Sequence, residues 1–410
     1  MVKSLLFYRS DYLCRAMESS PNLSFDNLEN AFASKSNQEI QQAYWLFKLI
    51  GYPKLVALGS SIAGKALDWN LPVKGIIKAT IFKQFCGGED IEECTKAIEK
   101  LNQFGVGSIL DYSVEGAKEE HEFDASCEEI IATVIKAKGN KSIPFSVFKI
   151  TGLGRFDLLE KVSAGTTLSE DENNAYERIR ARVKKICEAA YQANVCIFID
   201  AEESWIQQAI DDLATENMQR YNSSKAIVYN TIQLYRYDRL AFIKTSHEHA
   251  KNGNYYLGLK LVRGAYMEKE RARASTNGYA SPIQPSKEST DKDYNLALTY
   301  CLEHIAQIAI CAGSHNEASN LLLTELIKQY NIANNDQRIY FSQLLGMSDH
   351  ISFNLAKAGY NVAKYVPYGP VNAVFPYLTR RAQENTSIAG QMGRELSLLV
   401  AEKKRRKLLS

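Results

Sequence analysis

Downstream of Ile76 the chain alternates short runs of β-branched and aromatic residues with longer stretches of helical spacing. The runs are Gly107–Tyr112, Phe145–Ile150, Val195–Asp200, Ile227–Gln233, Tyr256–Val262, Ile308–Cys311, Arg338–Ser342 and Val362–Val366. Apolar runs this short, separated by helix-length segments, read as parallel strands joined by crossover helices. Eight of them predict an α/β protein built as a closed (β/α)8 barrel of the TIM type. Ahead of them, residues 1 to about 80 carry helical periodicity. Asn37-Gln38-Glu39-Ile40 opens an apolar stretch through Tyr44, Phe47 and Leu49, which Gly51 and Pro53 are expected to close. The expected division is a helical region over residues 1–80 and a barrel over residues 81–410.

Composition narrows the class. Of the 410 residues, 45% are hydrophobic and 23% charged, ordinary for a chain with a sizeable core, and no apolar stretch approaches the roughly 20 residues of a membrane span. The net charge of +2 supplies no global field for nucleic acid, so a small anionic ligand met by a local patch is the better expectation. The eight cysteines form no C-x-x-C pair and read as reduced thiols of a cytosol-like compartment. Near the start, Lys3, Arg9 and Arg15 are interrupted by Asp11 and Glu18, and Leu5–Tyr8 is too short for a secretory core, so no export signal is read.

Barrel chemistry collects where each strand hands over to its loop. Asp111, Lys149, Asp200, Gln233, Lys260, Arg263, Ser314, His315, Gln343 and Tyr365 all stand at or near such ends. The fifth run exits into Arg263-Gly264-Ala265-Tyr266 with Glu268, Arg271 and Arg273 close behind, a combination expected to meet a polar ligand. Beyond the eighth run, Arg380 and Arg381 lie four and three residues before Glu384 on a helical stretch. Two guanidiniums held by one carboxylate suit the grip of a substrate carboxylate.

These segments together resemble the proline dehydrogenases, in particular the monofunctional flavoenzymes of that family. The resemblance is carried by Leu110–Gly116, Asp200-Ala201-Glu202 with Ser204-Trp205, Lys260–Ala274, Ser314-His315-Asn316, Gln343–Met347 and Tyr365–Gly369, followed by Arg380-Arg381 and Glu384. It spans roughly residues 80 to 395 in the family's order. It implies a distorted (β/α)8 barrel, non-covalent FAD, and oxidation of L-proline to Δ1-pyrroline-5-carboxylate by hydride transfer from C5 to the flavin N5. That chemistry needs neither a nucleophile nor a metal.

Carried over by position, Arg380, Arg381 and Lys149 would clamp the carboxylate and Glu384 would hold the arginines. Tyr266, Leu261 and Tyr365 would wall the pyrrolidine ring, with Tyr365 favouring proline over hydroxyproline. Asp200 would orient cations and the substrate nitrogen without being the base, and Glu115 would be a loop acid that closes the pocket. Lys260 would sit near the flavin N5 and Gln233 at the ring. Val262, Arg263 and Gly264 would serve the cofactor, Arg263 and Gly264 at the pyrophosphate. Ser314 and His315 would contact FAD, while Met267, where bifunctional members have Trp, leaves adenine stacking open. The product imine would pass to a separate pyrroline-5-carboxylate dehydrogenase, and electrons to a quinone. The implied location is cytoplasmic, or mitochondrial for a eukaryotic source, with peripheral contact to the inner membrane.

Weaker signals have plainer readings. Gly105-x-Gly107 lacks the third glycine of a dinucleotide fingerprint. His247-x-His249 reads as an exposed helix rather than a metal pair. Ala274–Asp293, with Pro282 and Pro285, reads as a mobile loop. Lys403–Lys407 after Leu396, Leu398, Leu399 and Val400 is a candidate contact for an anionic membrane, or a solvated helix end. Two other functions compete: a flavin barrel such as a methylenetetrahydrofolate reductase, which would need a pterin platform, and a non-catalytic barrel, which need not keep the clamp.

Overall fold

The computed structural model describes residues 23–69, 72–114, 117–387 and 391–408. Its eight strands are β1 (Val106–Tyr112), β2 (Phe145–Phe148), β3 (Cys196–Ile199), β4 (Val228–Gln233), β5 (Leu257–Val262), β6 (Ile308–Gly313), β7 (Ile339–Leu344) and β8 (Val362–Tyr368). They close in chain order into one parallel barrel, with β8 returning to β1 from the Val106–Val362 pair to Tyr112–Tyr368. Every expected run carries a strand, with ends displaced by no more than two residues.

Alternation along the strands sorts the side chains into two cores. Ile109, Phe145, Val147, Phe198, Tyr229, Cys311, Ala363 and Tyr365 fill the barrel interior. Phe145 stacks on Phe198 with centroids 4.4 Å apart, and Tyr229 meets both rings edge-on. Their neighbours, including Leu110, Ile199, Leu257, Leu259, Leu261 and Phe341, face the surrounding helices. The inward positions at the C-terminal rim are mostly polar, so the apolar plug stops where the loops begin. The helices are well specified locally. Glu170–Ala193 starts at a Ser169/Glu172 capping box, has acidic residues in its first turn, and ends at Asn194 in the left-handed region.

The N-terminal helices have a core of their own. Asn37–Ile50 begins at a Ser36/Glu39 capping box and buries Ile40, Ala43, Phe47 and Ile50 against the chain's last two helices, Val371–Ser387 and Gln391–Arg405. The helix closes where expected, at Ile50 with Gly51 as its C-cap, and Pro53 opens the next, Pro53–Asp68, where its missing N–H is no loss. Helical backbone continues from Lys74 through Phe85, with a π-helical turn over Lys78–Phe82, so the division expected at residue 80 falls inside a continuous run.

Three further expectations are corrected. Ala274–Asp293 is not a loop: it contains the end of helix Met267–Asn277, closed by Gly278 at φ +72°, and the start of helix Lys287–Glu303, capped by Ser286. The two prolines occupy the short connection between them, where Ile283 bridges to Arg236. His247 is buried rather than exposed, because its face of helix Arg239–Asn252 meets Tyr300 and Gln307, each 2.9 Å from a ring nitrogen. The basic run at 403–407 is mostly committed within the chain. Lys403 sits 4.0 Å over the Tyr44 ring, Arg405 and Arg406 both pair with the buried Glu402, and Arg406 also reaches the carbonyls of Phe32 and Lys35. Among the described residues the cysteines are free, no helix is long and apolar enough to cross a membrane, and no group of three or more His, Cys, Asp or Glu is placed to hold a metal.

Candidate active site

Inward side chains of β5 and β8 converge with the residue that follows β3. Asp200, immediately beyond β3, receives the Lys260 ammonium from β5 and the Tyr365 hydroxyl from β8 on one oxygen, the latter at 3.3 Å. Lys149, just past β2, reaches the other oxygen at 3.4 Å. The Lys260 ammonium also donates to the Tyr365 hydroxyl and lies 4.6 Å from that ring's centroid. Burial is the largest influence on Asp200 and would raise its pKa, but Lys260 and Lys149 together outweigh it and hold the carboxyl below its ordinary value. Lys149 shows the converse: burial disfavours its charge, yet Asp111 and Asp200 overcome this and raise its pKa. The result is a buried Asp200–Lys260 pair with Lys149 at its edge, partly exposed toward the cavity.

A cavity of about 270 Å³ opens beside this centre, bordered by Tyr112, Lys149, Glu202, Tyr266, Lys269 and Arg380 among others. Glu202 is 3% exposed and accepts from the Thr151 backbone N–H at 3.1 Å and from the Thr151 hydroxyl. Burial pushes its carboxyl up to about 7, against the pull of those bonds and of Lys149. Tyr266 leads helix Met267–Asn277, and its phenol is raised well above the usual range by burial and by Glu202, with Arg380 opposing. Arg381, 9% exposed, stands with its guanidinium 5.2 Å from the Tyr377 ring centroid.

On the opposite side, the exits of β5 and β6 build a second polar group. The Arg263 guanidinium donates to Asp291 at 2.7 Å, to the Ser314 hydroxyl at 2.8 Å and to the Ser319 hydroxyl at 2.9 Å, and packs 4.3 Å over Tyr294. Gly264 has φ +134°, and a Cβ there would fall 2.4 Å from the Tyr235 ring, so this turn admits only glycine. Val262 packs on Gly313, Gln233 donates to the Glu202 carbonyl at 2.7 Å, and His315 Nδ1 lies 2.9 Å from the Ser348 hydroxyl.

A family profile described as "Proline dehydrogenase" matches residues 94–394. The chain belongs to the proline dehydrogenase family. It is 37% identical to "Proline dehydrogenase 1, mitochondrial" of Dictyostelium discoideum over 83% of this chain and 67% of that protein. It is 30% identical to "Hydroxyproline dehydrogenase" of Xenopus laevis over 95% of this chain and 92% of that one. The fold matches a proline utilization A (PutA) from Bdellovibrio bacteriovorus inactivated by N-propargylglycine, with a TM-score of 0.69 at 19% identity, covering 97% of this chain and 44% of that one. The chain thus spans less than half the length of that structural neighbour.

In this proline dehydrogenase family member the structure brings Lys149, Asp200, Lys260 and Tyr365 together, and places Tyr266 and Arg380 on the cavity beside them. Leu261 is not among them. Alternation turns it outward with Leu257 and Leu259, fully buried in the helix-facing core, while Lys260 and Val262 face inward. Glu115 and the Glu384 side chain lie outside the described residues. The charge behind Tyr266 serves the fold more than a ligand. Glu270 accepts from the Ser204 backbone and hydroxyl at 2.6 Å each, Lys269 pairs with Glu203, and Arg273 pairs with Glu160, tying this helix across the β3 exit. Glu268 and Arg271 are exposed. Glu202, Asp291 and Ser348 carried no role in the sequence reading. Glu202 alone had a signal, as the third residue of the Asp200-Ala201-Glu202 segment, whereas the other two are joined to the site only by tertiary contacts.

Proposed function

We propose that this chain oxidises L-proline to Δ1-pyrroline-5-carboxylate, with FAD as its non-covalent cofactor and a quinone as the eventual electron acceptor. The observation that carries the reading is the joining of the Asp200 centre to a small cavity walled by Lys149, Tyr266 and Arg380. The cations of Lys149, Arg380 and Arg381 bind the substrate carboxylate, and Lys149 keeps its charge because Asp111 and Asp200 outweigh its burial. Tyr266 and Tyr365 confine the ring, exclude water and orient C5. Asp200 fixes Lys260, Lys149 and Tyr365 in place rather than taking a proton, consistent with its lowered pKa.

The donor set on the β4–β6 exits suits a flavin dinucleotide: an amide at Gln233, an ammonium at Lys260, and a braced cation beside a tight glycine turn at Arg263 and Gly264. Val262, Ser314 and His315 complete that side. When bound, FAD supplies the two-electron acceptor chemistry that the protein's own side chains lack. Tyr365, held by Lys260 and Asp200, narrows the ring site and favours proline over hydroxyproline. The imine then leaves for a separate dehydrogenase. Membrane contact through residues 403–407 is not part of this reading, since three of the five cations are engaged within the chain.

Anaerobic addition of L-proline to the purified flavoprotein is expected to bleach the oxidised-flavin band, with trans-4-hydroxy-L-proline much less effective. A bound flavin that stays oxidised with proline refutes the substrate, and a colourless protein that cannot be loaded with FAD refutes the cofactor.

A further inference from the structure

Behind the β6 and β7 exits lies a buried polar chain that the reaction does not use directly. Ser348 precedes helix Asp349–Lys357 at φ +50°, a left-handed conformation that is strained for a non-glycine residue. It is held there by Glu395 of helix Gln391–Arg405, 5% exposed, whose Oε1 accepts from the Ser348 backbone N–H at 2.6 Å and from its hydroxyl at 3.3 Å. The same hydroxyl lies 2.9 Å from His315 Nδ1. From β8, the fully buried Lys364 donates to the Met347 carbonyl and pairs with the Asp349 carboxylate at 2.9 Å, which anchors the residues on both sides of Ser348.

We propose that Glu395 is a positioning residue for the cofactor site: through Ser348 it locks His315 in the Nδ1–H tautomer and turns Nε2 outward as a hydrogen-bond acceptor. This rests on the reading of His315 as a cofactor contact. A hydroxyl has one proton to give, and Glu395 Oε1, which already accepts the Ser348 N–H, is placed to take it. Burial raises the Glu395 pKa, and this oxygen accepts whether or not the carboxyl carries a proton on its other oxygen. Having donated to Glu395, Ser348 Oγ can only accept, so Nδ1 must carry the proton and Nε2 the lone pair. The doubly protonated ring is excluded as well. Burial, joined by the charges of Lys364, Arg381, His350 and Arg263, pushes the His315 pKa down to about 3. A helix that packs outside the barrel, against the N-terminal layer, thereby decides which group the site offers to a ligand hydroxyl or N–H.

The test uses FAD-loaded protein with 15N-labelled histidine, reading tautomers from long-range 1H–15N correlations and assigning His315 by its loss in His315→Gln. The parent is expected to show the Nδ1–H form. Ser348→Ala and Glu395→Leu are expected to move it to the Nε2–H form and to release FAD about tenfold faster on dilution. Glu395→Gln, whose amide oxygen still accepts both Ser348 protons, should keep the parent's tautomer and release rate. If Glu395→Leu does not fold, Ser348→Ala preserves the backbone bond to Glu395 and tests the hydroxyl alone. A parent in the Nε2–H form, or variants that keep the parent's tautomer, overturns the proposal. A tautomer change with FAD release unaltered in every variant, His315→Gln included, instead overturns the reading of His315 as a cofactor contact.

Discussion

Asp200 and Glu202 stand two residues apart past the end of β3, both buried, and the fold drives them in opposite directions. Burial raises both carboxyls. Around Asp200 two ammoniums are close enough to reverse that effect, whereas Glu202 has a hydroxyl, a backbone N–H and only the distant influence of Lys149, with Glu203 opposing. Equal exclusion from water therefore yields an ionised anchor at the barrel's centre and a group poised near neutrality on the cavity wall. Countercharge geometry, not depth, decides which role a buried acid takes.

The contrast breaks most sharply at the centre. Asp200→Ala leaves two cations without their shared anion, and stability to denaturant is expected to fall by about 3–5 kcal/mol. A loss below about 1 kcal/mol would mean that the ion cluster is not holding the mouth together. Leu261→Ala tests whether β5 presents its inward or its outward face to substrate. A cavity in the helix-facing core should cost about 2–5 kcal/mol while KM for proline changes little, and a many-fold rise in KM without destabilisation would return Leu261 to the ring pocket. Arg380→Met removes a cavity-wall cation, so kcat/KM for proline should drop by about 1.5–3 kcal/mol, on the order of tenfold or more, with FAD retained. Loss of flavin together with activity would place Arg380 on the cofactor side instead.

Glu202 sharpens the comparison through pH. Its folded pKa of about 7 lies above the ordinary 4.5, so between those values the native state holds a proton that the unfolded chain has released. Stability from this group is full below pH 4.5 and is lost as pH rises toward 7, with a slope approaching about 1.4 kcal/mol per pH unit. Glu202→Gln should remove that slope, as read from urea midpoints between pH 5 and 7, and identical slopes in the two proteins would show that the acid is ionised throughout. Asp200, lowered rather than raised, contributes the reverse dependence, stabilising above its unfolded value and failing only in acid.

Much of this was legible beforehand because it depends on local order. Strand runs follow β-branched content and period, and the barrel follows from their number and spacing. The resemblance, carried by motifs at strand ends, named Asp200 and the three residues now seen around it, Lys149, Lys260 and Tyr365. The errors arose where a local pattern has more than one tertiary use. Proline and polar residues at 274–293 fit a loop, but a Ser286 cap and an Ala274 packed in the core make helices of both flanks. A pair of histidines on a polar helix looks exposed until Tyr300 and Gln307 arrive from another helix and the loop after it. Five consecutive cations look free until Glu402 and the N-terminal segment engage three of them.

What the amino-acid order determined by itself is the sequence of βα units, the polar rim at the strand ends and the family to which they point, since each rests on neighbours within a few positions. The tertiary structure alone decided the pairing partners: that Lys260 and Lys149 share Asp200, that Leu261 faces away, that Asp291 braces Arg263, and that Glu395 reaches His315 through Ser348. Hydrogen bonds and ion pairs act over a few ångströms of space, and barrel closure sets those distances between residues 28 to more than 100 positions apart.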